Sequence, residues 1–144
     1  MVDHILHYAV NLDTATNGDL DVTGTNTAVL LVDSTSADGA IIEDIYTIAR
    51  GTVAHKVNLY LSSANDYLRP NQATYVGSVT SATTKGNTVR WEEMPKTLAP
   101  VPQVGTEAFN RALYVPKGRS LWAARESTAN VTDAPILGCQ GGWF

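Results

Sequence analysis

Apolar residues in this chain do not recur at the three-four spacing of a helix over any long window. They gather instead in nine short runs: 4–10 (HILHYAV), 27–33 (TAVLLVD), 40–49 (AIIEDIYTIA), 55–62 (HKVNLYLS), 73–80 (ATYVGSVT), 87–93 (NTVRWEE), 110–115 (NRALYV), 119–126 (RSLWAARE) and 134–139 (APILGC). Gly, Pro, Asn, Asp and Ser separate them. Val57, Leu59 and Leu61 share one parity, and Lys56, Asn58 and Tyr60 the other. Val89 and Trp91 oppose Arg90 and Glu92 in the same way. This two-residue period belongs to half-buried antiparallel strands. The run 40–49 is apolar on both parities, which predicts a central strand or one that touches another chain.

The punctuation agrees. Val115-Pro116-Lys117-Gly118 has Pro second and Gly fourth, as a type I turn prefers. Thr84-Lys85-Gly86-Asn87, Ser34–Gly39 and Asn17-Gly18 are further turn signals. Residues 94–108 hold Pro95, Pro100 and Pro102. They read either as an extended crossover between two sheets or as a contact arm. Regular short strands with turns between them predict an all-β antiparallel sandwich or barrel.

At 144 residues one domain is expected, and a chain of this length buries roughly two-thirds of its unfolded surface without disulfide staples. Charged residues are only 17%, so Thr, Ser and Asn must cover much of the surface. The net charge of −4 argues against nucleic acid as the main partner, since phosphate binding needs a basic footprint. No stretch approaches 18 apolar residues, and the opening MVDHILHYAVNLD lacks the basic start and cleavage site of a signal peptide. A single cysteine suits assembly in a reducing cytoplasm.

Candidate chemistry is thin. Cys139 beside Leu137 and Gly138 has no cationic neighbour to activate it, and is expected to be a buried packing residue. Asn17, Asp19 and Asp21 have calcium-loop spacing, but Val22 replaces the required Gly and Ala28 the bidentate Glu. His4 and His7 fall on opposite faces of a strand, and Met1 blocks an amino-terminal copper or nickel site. Glu92 and Glu93 point apart. With no serine elbow, phosphate loop or dinucleotide fingerprint, no metal or cofactor is expected and the chain is not read as an enzyme.

The aromatics carry more. Trp91, Trp122 and Trp143 could pack a core or line a sugar-binding face. A chain ending Gly141-Gly142-Trp143-Phe144 predicts a docked last strand, because loose termini are usually polar.

The order DIYTIARGT, HKVNLYLSS, ATYVGSV, a proline-bearing crossover, ALYVPKGRSLWAA and a terminal GGWF covers residues 25–144. Over that range the chain resembles the small jelly-roll decoration (cement) proteins of tailed bacteriophages. Tyr114–Leu121 matches their late hairpin, and Gly141–Phe144 their ending. Trp143 stands where a polar residue is usual. The resemblance implies a jelly-roll β-sandwich of about eight strands and a homotrimer, with a dimer as the other option. It also implies attachment to the outside of an HK97-type shell after assembly in a bacterial host cytoplasm. The partner would be the major capsid protein, with no nucleic acid and no membrane. Residues 1–24 fall outside the match and are expected to form an N-terminal arm or extra strand. Leu6, Tyr8, Val10 and Leu12 share one parity, with Ile5 opposite, so the arm should add to a sheet edge, preferably a neighbour's. The contact residues expected on this reading are Ile5, Leu6, Tyr8, Val10, Leu12, Ile42, Tyr46, Pro100, Pro102, Trp143 and Phe144. The competing reading is a carbohydrate-binding sandwich of a phage tail or fibre, which needs two or three exposed, roughly coplanar aromatics on one sheet face. A cupin-like or lyase enzyme is a weaker third, since the three histidines are scattered.

Overall fold

A computed structural model describes residues 4–11, 28–34, 38–62, 73–91, 112–126 and 133–143. Among these there is no α-helix and there are nine strands. They are β1 (His4–Asn11), β2 (Val29–Asp33), β3 (Gly39–Ile48), β4 (Lys56–Ser62), β5 (Ala73–Thr80), β6 (Thr88–Arg90), β7 (Leu113–Pro116), β8 (Ser120–Arg125) and β9 (Ile136–Trp143). All pair antiparallel. One sheet has the order β1-β9-β3-β6, and the other β2-β8-β4-β5. β7 and β6 lie end to end along β3, on Gly39–Ile42 and Tyr46–Ile48 respectively. The two sheets share one core. Ile42, Ile45, Leu113, Val115, Leu137 and Cys139 of the first meet Val32, Val57, Leu59, Val79, Leu121 and Ala123 of the second. The fold is therefore an all-β sandwich.

Residues 4–11 take the extra-strand option, and on their own chain's sheet, where a neighbour's edge was the preferred expectation. They pair with β9 of their own chain over the whole of β1, from His4 opposite Trp143 to Asn11 opposite Ile136. The strand is an edge of the first sheet.

The two-sided apolar pattern of β3 has a local cause. Its register with β9 shifts between Ile42 and Asp44, leaving Glu43 as an extra, exposed residue. A bulge reverses the parity of every residue after it. Ala40 and Ile42 face inward before it, and Ile45 and Thr47 after it, all fully buried. Ile41, Tyr46 and Ile48 are left on the outer face, half-buried.

The bulge also explains a glycine. A Cβ on Gly141 would collide with the carbonyl group of Ile41, which is backbone and cannot swing aside. Three residues earlier on β9, Tyr46 lies across Gly138, its cross-strand partner, filling the space a side chain there would take. A third such site joins the sheets. Trp91 follows β6, and its ring sits over Gly77 of β5, whose φ is 149°. The last strand thus runs on through Gly-Gly-Trp, further than the apolar run 134–139 suggests.

β4 departs from its alternation. Asn58 and Tyr60, on the parity expected to face water, are only 6% and 8% exposed. β4 lies between β5 and β8, where Trp122 and Ala124 of β8 are buried on the same outer side. The second sheet is shielded on both faces at these two strands.

The hairpin expected at Tyr114–Leu121 is instead a corner. β7 belongs to the first sheet and β8 to the second. The turn closes by Arg119 N–H donating to Pro116 O at 3.0 Å, one residue later than the sequence frame. Gly118, at its third position with φ 78°, supplies the positive φ of a type II turn. The β2–β3 connection makes the neighbouring corner. Ser34 N–H donates to Arg119 O and Gly118 N–H to Ser34 O, both at 3.1 Å. Lys117 Nζ meets Asp38 Oδ1 at 2.7 Å across the same corner. The turn at Thr84–Asn87 forms where the sequence places it, with Asn87 N–H donating to Thr84 O at 3.0 Å.

Two substitutions test this packing. Gly141→Ala should cost about 3 kcal/mol, because overpacking against backbone finds no relief. Gly138→Ala should cost about 1–2 kcal/mol alone and clearly less in a Tyr46→Ala background, since the obstructing ring is then gone. Urea unfolding of the four variants measures both. Additive losses at Gly138 and Tyr46 would contradict the described contact.

Candidate functional site

The contact residues expected from sequence separate in the structure. Ile42 is fully enclosed in the core, so its side chain has no surface to offer another chain. Trp143 is partly buried and packs against that core. Tyr46 lies on the outer face of the first sheet. Ile5, Leu6, Tyr8 and Val10 lie on β1, with Leu6, Tyr8 and Val10 opposite Gly141, Cys139 and Leu137. Leu12, Pro100, Pro102 and Phe144 fall outside the described residues, as do Asn17, Asp19, Asp21, Glu92 and Glu93.

What the fold brings together on the outer face of the first sheet is a mixed patch. Ile41 and Tyr114 are cross-strand neighbours, as are Ile48 and Ile136, with Tyr46 between these pairs. All five are half-buried. Asp44 and Arg90 add a loose ion pair, Nε to Oδ2 at 3.5 Å, with the arginine end exposed. An ion pair of this kind contributes little to stability.

The second sheet carries a different row. Trp122, Tyr60 and Tyr75 are register neighbours on β8, β4 and β5. A sugar platform would need them open and roughly coplanar. Trp122 and Tyr60 are 7% and 8% exposed, and only Tyr75, at 55%, is open. Tyr60 and Tyr75 meet edge to face at 61° with centroids 5.8 Å apart. This is packing geometry.

Where the edges of β5 and β6 approach each other, a cleft of about 780 Å³ opens between the sheets. Ser78, Thr80, Thr88 and Arg90 give it a hydroxyl-rich wall, and Trp91 and Val79 its apolar part. No carboxylate, imidazole or thiol is among these lining residues, so they hold no acid–base pair. Cys139 is fully buried in β9, in the packing role its sequence neighbours suggest. No group of three or more metal-ligating side chains occurs among the described residues.

The sequence reading missed a buried polar cluster at the end of the sandwich where β4 begins. His55 and Ser81 clasp the ends of β4 and β5. His55 N–H donates to Ser81 Oγ at 3.0 Å, and Ser81 N–H donates to His55 O at 2.9 Å. His55 is 5% exposed, and its Nε2 is buried without a hydrogen-bond partner among the described residues. Arg125, at the end of β8, is fully buried nearby, and Asp133 closes over Gly51. Burial pushes the His55 imidazole below its usual value, and the Arg125 guanidinium adds to this. Asp133 pulls weakly the other way. An arginine ending an otherwise apolar strand, SLWAAR, was the available signal.

This cluster predicts acid sensitivity of a stated sign. The unfolded chain takes up a proton at His55 near pH 6.5, before the folded chain does. The stability contributed by neutral His55 is therefore complete above that pH and is lost as the pH falls below it. Calorimetry between pH 8 and 5 should show a falling Tm for the native chain and a flatter profile for His55→Gln. Parallel profiles would refute the assignment. The Asp38–Lys117 pair titrates in a separate window: the lysine holds the Asp38 carboxyl below its usual range, so its effect appears only in stronger acid.

Comparison of the chain with protein-family models, with curated proteins and with solved structures finds no match. The functional reading rests on the sequence resemblance and on the geometry above.

Proposed function

We propose that this chain is a structural virion protein, a jelly-roll decoration protein that binds the outside of an assembled HK97-type phage capsid and bridges adjacent capsomers. The observation that carries the reading is the strand order. In a jelly roll the first, eighth, third and sixth strands form one sheet, in the order first-eighth-third-sixth, and the second, seventh, fourth and fifth the other, in the order second-seventh-fourth-fifth. Here β1-β9-β3 with β6 and β7 sharing one place faces β2-β8-β4-β5. Counting β6 and β7 as one interrupted strand makes the two orders coincide, and β1 is then the first strand of the roll. The corner at Pro116–Arg119 and the docked Gly-Gly-Trp strand fall within two of the segments that carry the sequence resemblance.

The mechanism asks for no catalytic group. A protein that binds assembled shells but not separated capsomers stabilises the shell by mass action. A homotrimer, or a dimer, engaging several capsomers at once gains effective concentration at each further contact. The half-buried apolar patch on the first sheet is the broad surface suited to that contact. The buried ring row on the second sheet gives the carbohydrate reading no open platform.

Virions stripped of this chain and re-incubated with it should recover it in icosahedral stoichiometry, with a raised shell melting temperature. Sedimentation and calorimetry measure the two. Shells that neither bind it nor gain stability would overturn the proposal.

A further inference from the structure

The cleft between β5 and β6 is walled by two strand edges that belong to different sheets. At the ends of β6, Trp91 N–H donates to Ile45 O at 2.8 Å, and Ala49 N–H donates to Asn87 O at 3.0 Å. Just past β5, Ser81 N–H donates to His55 O at 2.9 Å. An antiparallel strand directs successive residues' N–H and C=O groups to opposite sides. Asn87, Val89 and Trp91 therefore turn their backbone groups to β3, and Val79 and Ser81 turn theirs to β4. Ser78, Thr80, Thr88 and Arg90 turn theirs the other way, and all four line the cleft. No strand pairs with that side of β5 or β6 among the described residues.

The residues between them have the inward parity. Val79 stands opposite Val57, and Val89 opposite Thr47, both fully buried positions. The Trp91 ring packs in the same core. The cleft thus has two walls of outward-turned amide groups and an apolar floor.

Both of its ends are closed. At one, the Trp91 ring sits over Gly77. At the other, residues 81–87 carry the chain from β5 to β6, tied by Ser81 to His55 and by Gly86 N–H to Ala49 O at 2.7 Å. The walls between, 78–80 and 88–90, are about 10 Å long at the rise of a strand. An extended peptide would have to run out through an end, so the space suits a compact ligand. Its volume, about 780 Å³, is that of a small-molecule site.

The walls decide the ligand's chemistry. They offer donors and acceptors together, so an anion would face carbonyl oxygens that it cannot pair with. A purely apolar molecule would leave both kinds of group dry and unpaired, which is costly. A hydroxyl donates and accepts at once. The cleft also makes little demand for charge. No acidic side chain lines it, and the Arg90 guanidinium is engaged with Asp44.

We propose that this cleft is a saccharide site that takes one or two neutral pyranose rings. Ring hydroxyls pair with the backbone groups of Ser78, Thr80, Thr88 and Arg90, and the C–H face of a ring lies toward Val89 and Trp91. The site is separate from the shielded row of Trp122, Tyr60 and Tyr75. It does not rest on the capsid reading, because the isolated chain suffices to test it.

The test follows amide and indole resonances of the full chain as saccharides are added to millimolar levels. The probes are the methyl glycosides of glucose, galactose, mannose and N-acetylglucosamine, with lactose and maltose. Inorganic phosphate and acetyl-trialanine amide are the anion and peptide probes. At least one saccharide should give saturable shifts centred on residues 78–80, 88–90 and the Trp91 indole, and bind at least tenfold more tightly than phosphate or the peptide. Thr88→Pro removes an N–H turned to the cleft and no ladder bond, a change tolerated at the first residue of an edge strand. It should weaken binding several-fold and melt within a few degrees of the native chain. Val89→Phe should grow into the cleft and abolish binding. If either variant fails to fold, the titration of the native chain decides alone. No saturable shift with any saccharide, shifts centred on Tyr60, Tyr75 and Trp122, or an equal response to phosphate or peptide would overturn the proposal. So would undiminished binding by folded Val89→Phe.

Discussion

The pairing of β3 with β9 is the constraint on which this fold depends. It joins the third strand to the last over eight register positions and carries the bulge at Glu43. Without that bulge one half of β3 would turn its isoleucines to water. With it, the Ile41 carbonyl comes so close to β9 that only glycine fits at position 141. β9 in turn is the only strand that β1 pairs with among the described residues. The first sheet therefore cannot close until the end of the chain arrives. Such long-range pairing postpones stabilising contacts until much chain entropy has been lost, the usual reason β-sandwiches fold slowly.

The two ends of the sandwich are secured by different physics. At one end, two neighbouring corners are stitched by backbone hydrogen bonds among Ser34, Pro116, Gly118 and Arg119. Their stability is nearly indifferent to pH, since no titrating group takes part in those bonds. At the other end, His55, Ser81, Arg125 and Asp133 bring ionisable side chains into a dry setting. Burial there makes a second positive charge beside Arg125 costly. The buried ionisable cluster makes one end sensitive to mild acid, whereas the other end relies on backbone bonds and on an exposed Asp38–Lys117 pair that responds only to stronger acid.

Strand existence was legible because period two and turn chemistry are local. All nine runs became strands, and Thr84–Asn87 turned where its residues place a turn. What was not legible depended on partners distant in sequence. Tyr46 lies where it does because Gly138 is beneath it, more than ninety residues later in the chain. The apolar parities of residues 40–49 suggested a central strand or a second chain; β3 is central in its sheet, and one extra residue, Glu43, reconciles its two parities within a single core. Tyr60 alternates like a solvent-facing residue, yet its strand is shielded on both faces. The corner at Pro116 looked like a hairpin because a turn motif fixes chain reversal, not which sheet the next strand joins. Of the contact residues read from sequence, Ile42 went to the core because parity alone cannot distinguish a two-sided strand from a bulged one.

A binding role places its demands on surface rather than on chemistry, and the surfaces of this sandwich are unequal. The outer side of the second sheet is shielded at its two central strands, so its aromatic row cannot meet a ligand there without rearrangement. The outer side of the first sheet keeps five half-buried apolar residues beside an ion pair. A surface of that kind tolerates water when free and sheds it on docking, which favours a large, reversible contact over a tight small-molecule site.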